Sequence, residues 1–358
     1  MIVLVLAVEV GSVRAVTPVC IELIKNGDKL LIDDRGYFKK DPIEVLHSSL
    51  IKLPSDIDGI GKFILQKSID VVLFSVNVHD IQPLKVARIA QSLKIKTVHL
   101  LDYWNGYRSR MELDGQEVFT PSRYLVPDEY AKKQAIKEGI LKKTIGIVGQ
   151  PAFSDAEVNF KEKKQHNSLI KQILEKNKKI VLFISEPVAN DQGSSIEENE
   201  NYRGYTEIDV LEILVKSLKK SGNKFYVIVL PHPRQDVKRL EKVWQSLGGN
   251  LYGSVIPDIR GRDLLKHAIG VTGMASTLLY EAWLVGVPVL SIQPNLLHDS
   301  QRMMQGKSNV VFIDKYDGSV QKTEKWLKSL NKEVECIFQP DLYTHVNASS
   351  AILKELSL

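Results

Sequence analysis

Short β-rich runs alternate with helical stretches along most of the chain, and this alternation limits the fold more than any other feature. The pattern runs through the first half and restarts after residue 178. Strands that alternate with helices form parallel βαβ units, with helices on both faces of each sheet. The predicted strands are 2–8, 29–34, 70–76, 96–102, the start of 123–140, 144–151, 180–185, 224–232 and 309–314.

Residues 154–178 interrupt this alternation, and we predict that they form a linker because they are polar and rich in lysine. A chain of 358 residues also exceeds what one hydrophobic core usually organises. The sequence therefore predicts an α/β protein with two Rossmann-like, doubly wound domains, 1–153 and 179–340, facing a central cleft. A C-terminal helix at 341–358 is expected to pack back on the first domain. Ligands of such sheets bind outside the carboxyl ends of the strands.

Composition and charge exclude several classes of protein. The 48 basic and 43 acidic residues give a dispersed net charge of +5, so we predict no nucleic-acid partner. The lysine-rich runs at 161–164 and 176–179 are typical of solvated helix faces, and weak attraction to an anionic membrane stays open. Cys20 and Cys336 have no metal or redox spacing and indicate a reducing compartment. The apolar start meets Glu9 and lacks a basic leader, which predicts a cytoplasmic protein, at most peripheral to the inner face of the membrane.

The segment 271–294 predicts a strand, a turn, a helix and a second strand. An uncharged, mostly small turn directly before a helix lets a ligand approach the backbone, and the helix dipole there favours an anion. We therefore expect a phosphate at this turn, with a hydroxyl capping the helix and donating to the phosphate. The residues of the turn are Gly273, Met274, Ala275, Ser276 and Thr277.

Glu281 lies four residues after Thr277, so both are expected on one face of the helix. A carboxylate one turn beyond a phosphate site is well placed to accept hydrogen bonds from ribose hydroxyls. The alternative is that Ser276 only caps the helix and Glu281 is a surface charge. The apolar stretch 282–286 around Glu281 argues against a surface position.

A second anion-binding motif, "PHPRQD" (231–236), follows the predicted strand 224–232. His232 stands between two prolines at the end of a strand, where its position is fixed. Arg234 offers a planar fork of donors that suits phosphate oxygens. The alternative is a loop histidine beside a solvated arginine. Two anion-binding strand ends in one domain favour a nucleotide phosphate or diphosphate.

These motifs resemble those of the GT-B glycosyltransferase superfamily, whose C-terminal half binds nucleotide-sugar donors. Its Glu-Ala, glycine and proline spacing is similar to that of Glu281, Ala282, Gly286 and Pro288. "GMASTL" and "PHPR" resemble the serine/threonine and His-Pro motifs of bacterial sialyltransferase-like members, where both contact the donor nucleotide and its phosphate. The resemblance implies that the donor is bound by His232, Pro233, Arg234, Gly273, Met274, Ala275, Ser276, Thr277 and Glu281.

The first half resembles a domain shared with non-hydrolysing UDP-N-acetylglucosamine 2-epimerases, on the stretches 98–110 and 124–153. Those enzymes carry an Arg-rich motif after the histidine and an Asp-Ser-Gly-Gly turn at the phosphate site. This chain has Pro233 at the position of the first of those arginines and Thr272–Ala275 at the turn. Both departures favour a transferase over an epimerase.

A sugar transfer needs a base for the acceptor hydroxyl, or a group that stabilises the departing nucleotide. Asp102, at the end of a predicted strand, is the first candidate base. Sialyltransferase-like members carry an acidic pair followed by glycine at a similar place, whereas Asp102 stands alone. Glu9 is the second candidate, and His232 would stabilise the departing phosphate. The alternative for Asp102 is a carboxylate that caps the next element.

Two further groups are expected at the cleft. Arg108 and Arg110 could hold an anionic acceptor or a phosphate, although exposed arginines are common. The long polar loop that follows Ser185 and Glu186 is expected to border the cleft as a lid, or else to be disordered.

The sequence thus predicts a GT-B-type glycosyltransferase that moves a sugar from a UDP- or CMP-linked donor to a saccharide or lipid-linked acceptor. The resemblance implies a role in bacterial surface polysaccharide or glycoconjugate synthesis. No cofactor beyond the nucleotide-sugar substrate and no metal is expected. A sugar-nucleotide 2-epimerase is the second hypothesis, and a non-catalytic nucleotide-sugar binding protein is the third.

Overall fold

The computed structural model describes residues 1–40, 43–76, 80–113, 117–162, 168–175, 178–222, 224–330 and 337–358. The chain divides into two compact units. The first unit consists of Met1–Asp155 and Asp341–Leu358, and the second of Ala156–Pro340. The second unit begins inside the segment that the sequence predicts to be a linker.

The first unit contains a parallel sheet whose strands are nearly continuous apolar runs, as expected where helices cover both faces. Its strands are β1 (Ile2–Leu6), β2 (Lys29–Asp33), β3 (Leu50–Ile51), β4 (Val71–Phe74), β5 (Lys96–Leu100), β6 (Arg123–Val126) and β7 (Ile145–Ile147). Within the described ranges the order is β3-β2-β1-β4-β5-β6-β7, with every pair parallel. Its helices before residue 156 are α1 (Val10–Lys25), α2 (Glu44–His47), α3 (Ile57–Gln66), α4 (Gln82–Ser92) and α5 (Glu129–Lys137).

The second unit contains another parallel sheet of the same kind. Its strands are β8 (Lys179–Ile184), β9 (Phe225–Leu230), β10 (Gly253–Val255), β11 (Ala268–Gly273), β12 (Val289–Ile292) and β13 (Val310–Ile313). For the residues described, the order is β10-β9-β8-β11-β12-β13, again parallel throughout. The helices are α6 (Ala156–Lys161), α7 (Ser168–Glu175), α8 (Val188–Gln192), α9 (Glu207–Ser221), α10 (Val237–Gly248), α11 (Gly261–Leu264), α12 (Thr277–Leu284) and α13 (Ser319–Ser329).

The last residues of the chain form α14 (Leu342–Val346) and α15 (Ala348–Ser357), and both belong to the first unit. Ile352 and Leu356 of α15 are buried in the core of that unit. Glu355 accepts two hydrogen bonds from Arg123, at 2.6 and 2.8 Å. The C-terminal helix is therefore held by both apolar burial and a bidentate ion pair.

In both sheets the strand order reverses beside the first strand, between β1 and β4 in the first sheet and between β8 and β11 in the second. Such switch points open a crevice at the carboxyl ends of the strands, where ligands of doubly wound folds bind. The prediction of two doubly wound α/β domains is confirmed, and the cleft between them stays a prediction. The sequence analysis assigned no element to residues 35–69, where β3, α2 and α3 lie. No helix among the described residues has the length and apolar character needed to cross a bilayer.

Candidate functional site

The sheet order of the second unit brings three predicted motifs side by side. β9, β8 and β11 are neighbours, and their carboxyl ends lead into Pro231–Arg234, Ser185–Glu186 and Gly273–Thr277. The last two flank the switch point between β8 and β11. The candidate site therefore lies where the topology of this sheet predicts a ligand.

The turn after β11 is small because it packs closely against β8. A Cβ atom on Gly273 would lie 2.7 Å from the backbone oxygen of Ile184, which only glycine avoids. Met274 and Ala275 are fully buried, and the Met274 carbonyl accepts a hydrogen bond from Ser291 Oγ at 2.5 Å. The side chains of Met274 and Ala275 thus serve packing, and only their backbone could reach a ligand.

Ser276 caps α12 as the sequence predicts, since its hydroxyl accepts from the backbone N–H of Leu278 at 3.2 Å. Thr277 is the first residue of the helix and is partly exposed. The helix start therefore presents a hydroxyl and backbone N–H groups at the carboxyl edge of the sheet. This is the arrangement that favours an anion.

An anion of the protein itself occupies this helix start. The Glu186 carboxylate accepts from the Ala275 N–H at 2.7 Å and from the Ser276 N–H. Its second oxygen lies 3.4 Å from Arg203 Nη1, and both side chains are largely buried. Burial raises the pKa of Glu186, while Arg203 and the two N–H groups oppose that rise. The sequence places Glu186 at the end of a strand but indicates no contact for it, and no motif points to Arg203.

His232 is held by its own loop. Its Nδ1 accepts from the backbone N–H of Arg234 at 3.2 Å, and its backbone N–H donates to Gln235 Oε1 at 2.8 Å. Burial lowers the pKa of His232, and Arg234 lowers it further, against a smaller opposing effect of Asp191. The neutral form of the ring is therefore favoured, with its hydrogen on Nε2, from which His232 can donate a hydrogen bond to a phosphate.

Arg234 forms a bidentate ion pair with Asp191 of α8, at 2.8 and 2.7 Å. The arginine side chain is 56% exposed, as is typical of a group at the rim of a site. Pro233, between His232 and Arg234, is exposed. The guanidinium donors of Arg234, which are predicted to bind a phosphate, thus contact the carboxylate of Asp191.

Glu281 is not a surface charge. Only 4% of the residue is exposed, and its carboxylate lies 2.6 Å from Arg262 Nε of α11. A buried carboxylate needs such a partner, because desolvation without one is costly. Arg262 was not found from the sequence, since no spacing links α11 to α12.

In the first unit, Asp102 follows β5 and forms a small polar cluster. Its carboxylate lies 2.6 Å from Arg110 Nη1 and accepts from Ser12 Oγ at 2.7 Å. Arg110 also donates to the backbone oxygen of Val76, after β4, at 2.6 Å. The cluster joins the carboxyl ends of β4 and β5 to the start of α1. Arg110 is buried in this cluster, so it is not an exposed surface arginine, and its contact with an anionic acceptor or phosphate stays a prediction.

The other candidates of the first unit, Glu9 and Arg108, are exposed. Glu9 is exposed at the N-cap position of α1 and makes no side-chain capping hydrogen bond. Arg108 pairs with Glu112 at 2.7 Å on the surface. Across the part of the chain that the structure describes, no group of three or more His, Cys, Asp or Glu residues could hold a metal.

Two surface cavities are described here, one in each unit. One of about 80 Å³ in the second unit lies beside the site, next to Pro187, Glu207 and Arg234. A larger one of about 440 Å³ in the first unit is lined by α4 and residues 117–120. None of the predicted site residues lines the larger hollow, so it is not part of the candidate site.

No protein-family model matches the chain, and no curated protein matches its sequence. Its fold, however, matches solved structures. A UDP-GlcNAc 2-epimerase from Methanocaldococcus jannaschii has a TM-score of 0.67 and 17% identity, over 100% of this chain and 99% of that one. The chain has the fold of that enzyme.

Two more structures extend this finding. A UDP-GlcNAc 2-epimerase from Neisseria meningitidis bound to UDP-GlcNAc has a TM-score of 0.64 and 16% identity, over 100% of both chains. A glycosyltransferase from Rickettsia africae has a TM-score of 0.62 and 13% identity, over 99% of this chain and 94% of that one. The two-domain α/β fold that the resemblance implies is therefore confirmed. At these identities the likeness shows the fold alone.

Proposed function

We propose that the chain is an enzyme acting on a nucleotide sugar that binds at the carboxyl edge of the second sheet. One observation carries the proposal: β9, β8 and β11 lie side by side, so His232 after β9 and Ser276 after β11, with Glu281 in the helix that follows, are at the same carboxyl edge of the sheet. A helix start with an N-cap hydroxyl and a neighbouring histidine donor suits a phosphate. Glu281, one turn into α12, would accept from the ribose hydroxyls.

The first activity to test is 2-epimerisation of a UDP-GlcNAc-type sugar nucleotide. The likeness to two UDP-GlcNAc 2-epimerases, one bound to UDP-GlcNAc, extends over the whole chain and supports this choice. Inversion at C2 requires removal of the C2 hydrogen and return of a proton to the opposite face. Asp102 and Glu9 are the proposed carboxylates for this step. Both oxygens of Asp102 are engaged, by Arg110 and Ser12, so a free Asp102 base would require that cluster to loosen.

Glycosyl transfer to a hydroxyl acceptor is the second candidate. It is supported by the fold match to a glycosyltransferase and by Pro233 and Thr272–Ala275, which depart from the epimerase motifs. In a transfer, the α12 start and the His232 donor would stabilise the departing nucleotide. A non-catalytic binding protein is the third candidate, and it would tolerate the loss of Asp102 and Glu9.

Proton NMR of UDP-GlcNAc incubated with the protein separates these functions. An epimerase produces UDP-N-acetylmannosamine without an acceptor, and Asp102→Asn or Glu9→Gln reduces the rate while UDP affinity is kept. A transferase releases UDP only when an acceptor is added. A binder leaves UDP-GlcNAc intact but binds it. If UDP-GlcNAc is neither bound nor converted, the proposal for this donor is wrong.

A further inference from the structure

Two carboxylates from one short segment contact the groups that are proposed to bind phosphate. Glu186, directly after β8, accepts from the N–H groups of Ala275 and Ser276 at the start of α12. Asp191, in α8, forms the bidentate pair with Arg234. The segment thus covers both predicted phosphate-binding motifs of the second unit with negative charge.

The contacts of Glu186 are those that a phosphate oxygen would make. A carboxylate and a phosphate both accept from backbone N–H groups at a helix start and pair with an arginine fork. Arg203 supplies the positive charge here, 3.4 Å from Glu186, and its side chain is only 12% exposed. The cation was missed by sequence analysis because it lies in the loop before α9, far along the chain from α12.

Hydrogen bonds hold the backbone on either side of Glu186 and Asp191. Gln235 Nε2 donates to Ser185 Oγ at 2.9 Å and to the Glu186 carbonyl at 3.2 Å, which ties the end of β8 to the loop after β9. Further along the chain, the backbone is fixed where Thr206 and Asp209 form the capping box of α9. Rotation of the Glu186 side chain alone would therefore open the helix start, while the surrounding backbone stays in place.

We propose that Glu186 is a built-in competitor of the nucleotide phosphate: it occupies the start of α12 in the ligand-free protein and gives up that place, with Arg203, to the incoming phosphate. The inference rests on the proposed function, because it uses the same site. Asp191 acts in the same way on Arg234 at the exposed rim. Nucleotide affinity is then limited by the protein's own carboxylates.

Titration calorimetry with UDP on the full-length protein tests this inference. We expect Glu186→Gln to bind UDP about tenfold more tightly than the wild type, because a charged competitor for two N–H donors is removed. Asp191→Asn is expected to tighten binding by about threefold, since its pair is more exposed. Arg203→Gln is expected to weaken binding about tenfold through loss of the cation. The matched control is Glu212→Gln, which removes a charge on the exposed face of α9, where Glu212 pairs with Lys216, and it should leave the affinity unchanged.

The outcomes separate this inference from the proposed function. If the wild type binds UDP and loses binding in His232→Ala and Ser276→Ala, while Glu186→Gln binds no more tightly, the competitor role is overturned and the proposed function stands. If neither the wild type nor Glu186→Gln binds UDP, both are overturned. If only Glu186→Gln binds, the competitor role is supported in its strongest form. Circular dichroism checks folding, and if Glu186→Gln does not fold, an unchanged affinity in Asp191→Asn overturns the inference.

Discussion

Replacing Gly273 by alanine tests why the turn after β11 is small. The added Cβ would lie 2.7 Å from the Ile184 backbone oxygen and 3.2 Å from Ile184 Cβ, where ordinary contact begins at 3.4 Å. Neither atom belongs to a flexible side-chain end, so β8 and β11 would have to move apart by several tenths of an ångström. Overpacking of this kind costs about 1–3 kcal/mol. We expect Gly273→Ala to lower the free energy of unfolding of the second unit by about 2 kcal/mol.

Urea unfolding followed by tryptophan fluorescence measures this change, since Trp244, Trp283 and Trp326 lie in the second unit. The matched control is Gly248→Ala at the end of α10, where the nearest atom to the new Cβ is Trp244 Cε2 at 3.5 Å. This substitution is expected to be neutral or to stabilise by up to about 1 kcal/mol, as for other helical glycines. Equal stability of the two variants would refute the packing explanation for the glycine.

Three further predictions follow from buried contacts. Burial lowers the pKa of His99 well below its usual value. Below about pH 6.5 the native state therefore binds fewer protons than the unfolded state. The contribution of His99 to stability is full above that pH, and the free energy of unfolding falls by up to about 1.4 kcal/mol per pH unit below it. His99→Phe should flatten the fall in urea midpoint between about pH 7 and 5, and an unchanged slope would contradict this assignment. Glu281→Gln should weaken UDP binding in calorimetry and leave pyrophosphate binding unchanged, because the proposed contact of Glu281 is to the ribose. An equal loss of affinity for both ligands would contradict a contact between Glu281 and the ribose. Ile352→Ala should destabilise the first unit by about 2–5 kcal/mol in thermal melts, whereas Lys354→Ala on the same helix should have little effect, and equal effects would contradict the docking of α15.

Most of the fold could be predicted because its pattern is local. Buried parallel strands such as Val3–Leu6 and Val181–Ile184 are continuous apolar runs, and the helices between them have amphipathic spacing. Two of the elements that the sequence does not reveal, β3 and α2, are short and only partly buried, so their sequences carry little periodicity. The helices α6 and α7 lie within the predicted linker, where the polar, lysine-rich residues around them dominate the composition of the segment.

Only the part of the candidate site that directly follows the strands could be predicted from the sequence. Motifs at the carboxyl ends of β9 and β11 could be recognised from the sequence, because parallel topology places them at one edge. The partners of those motifs could not be recognised. Glu186 meets Ala275, and Arg262 meets Glu281, through tertiary contacts that no spacing encodes. For the same reason the sequence does not reveal that Arg110 is buried against Asp102.

The measurement that tests the central proposal most directly is calorimetric titration of the wild-type protein, His232→Ala and Ser276→Ala with UDP. Ser221→Ala, a serine at the end of α9, is the matched control. If the nucleotide binds at the carboxyl edge of the second sheet, the wild type and the control bind UDP with equal affinity, and the two site variants bind it at least about tenfold more weakly. UDP binding that is equally strong in all four proteins, or absent from all of them, would contradict the proposed site.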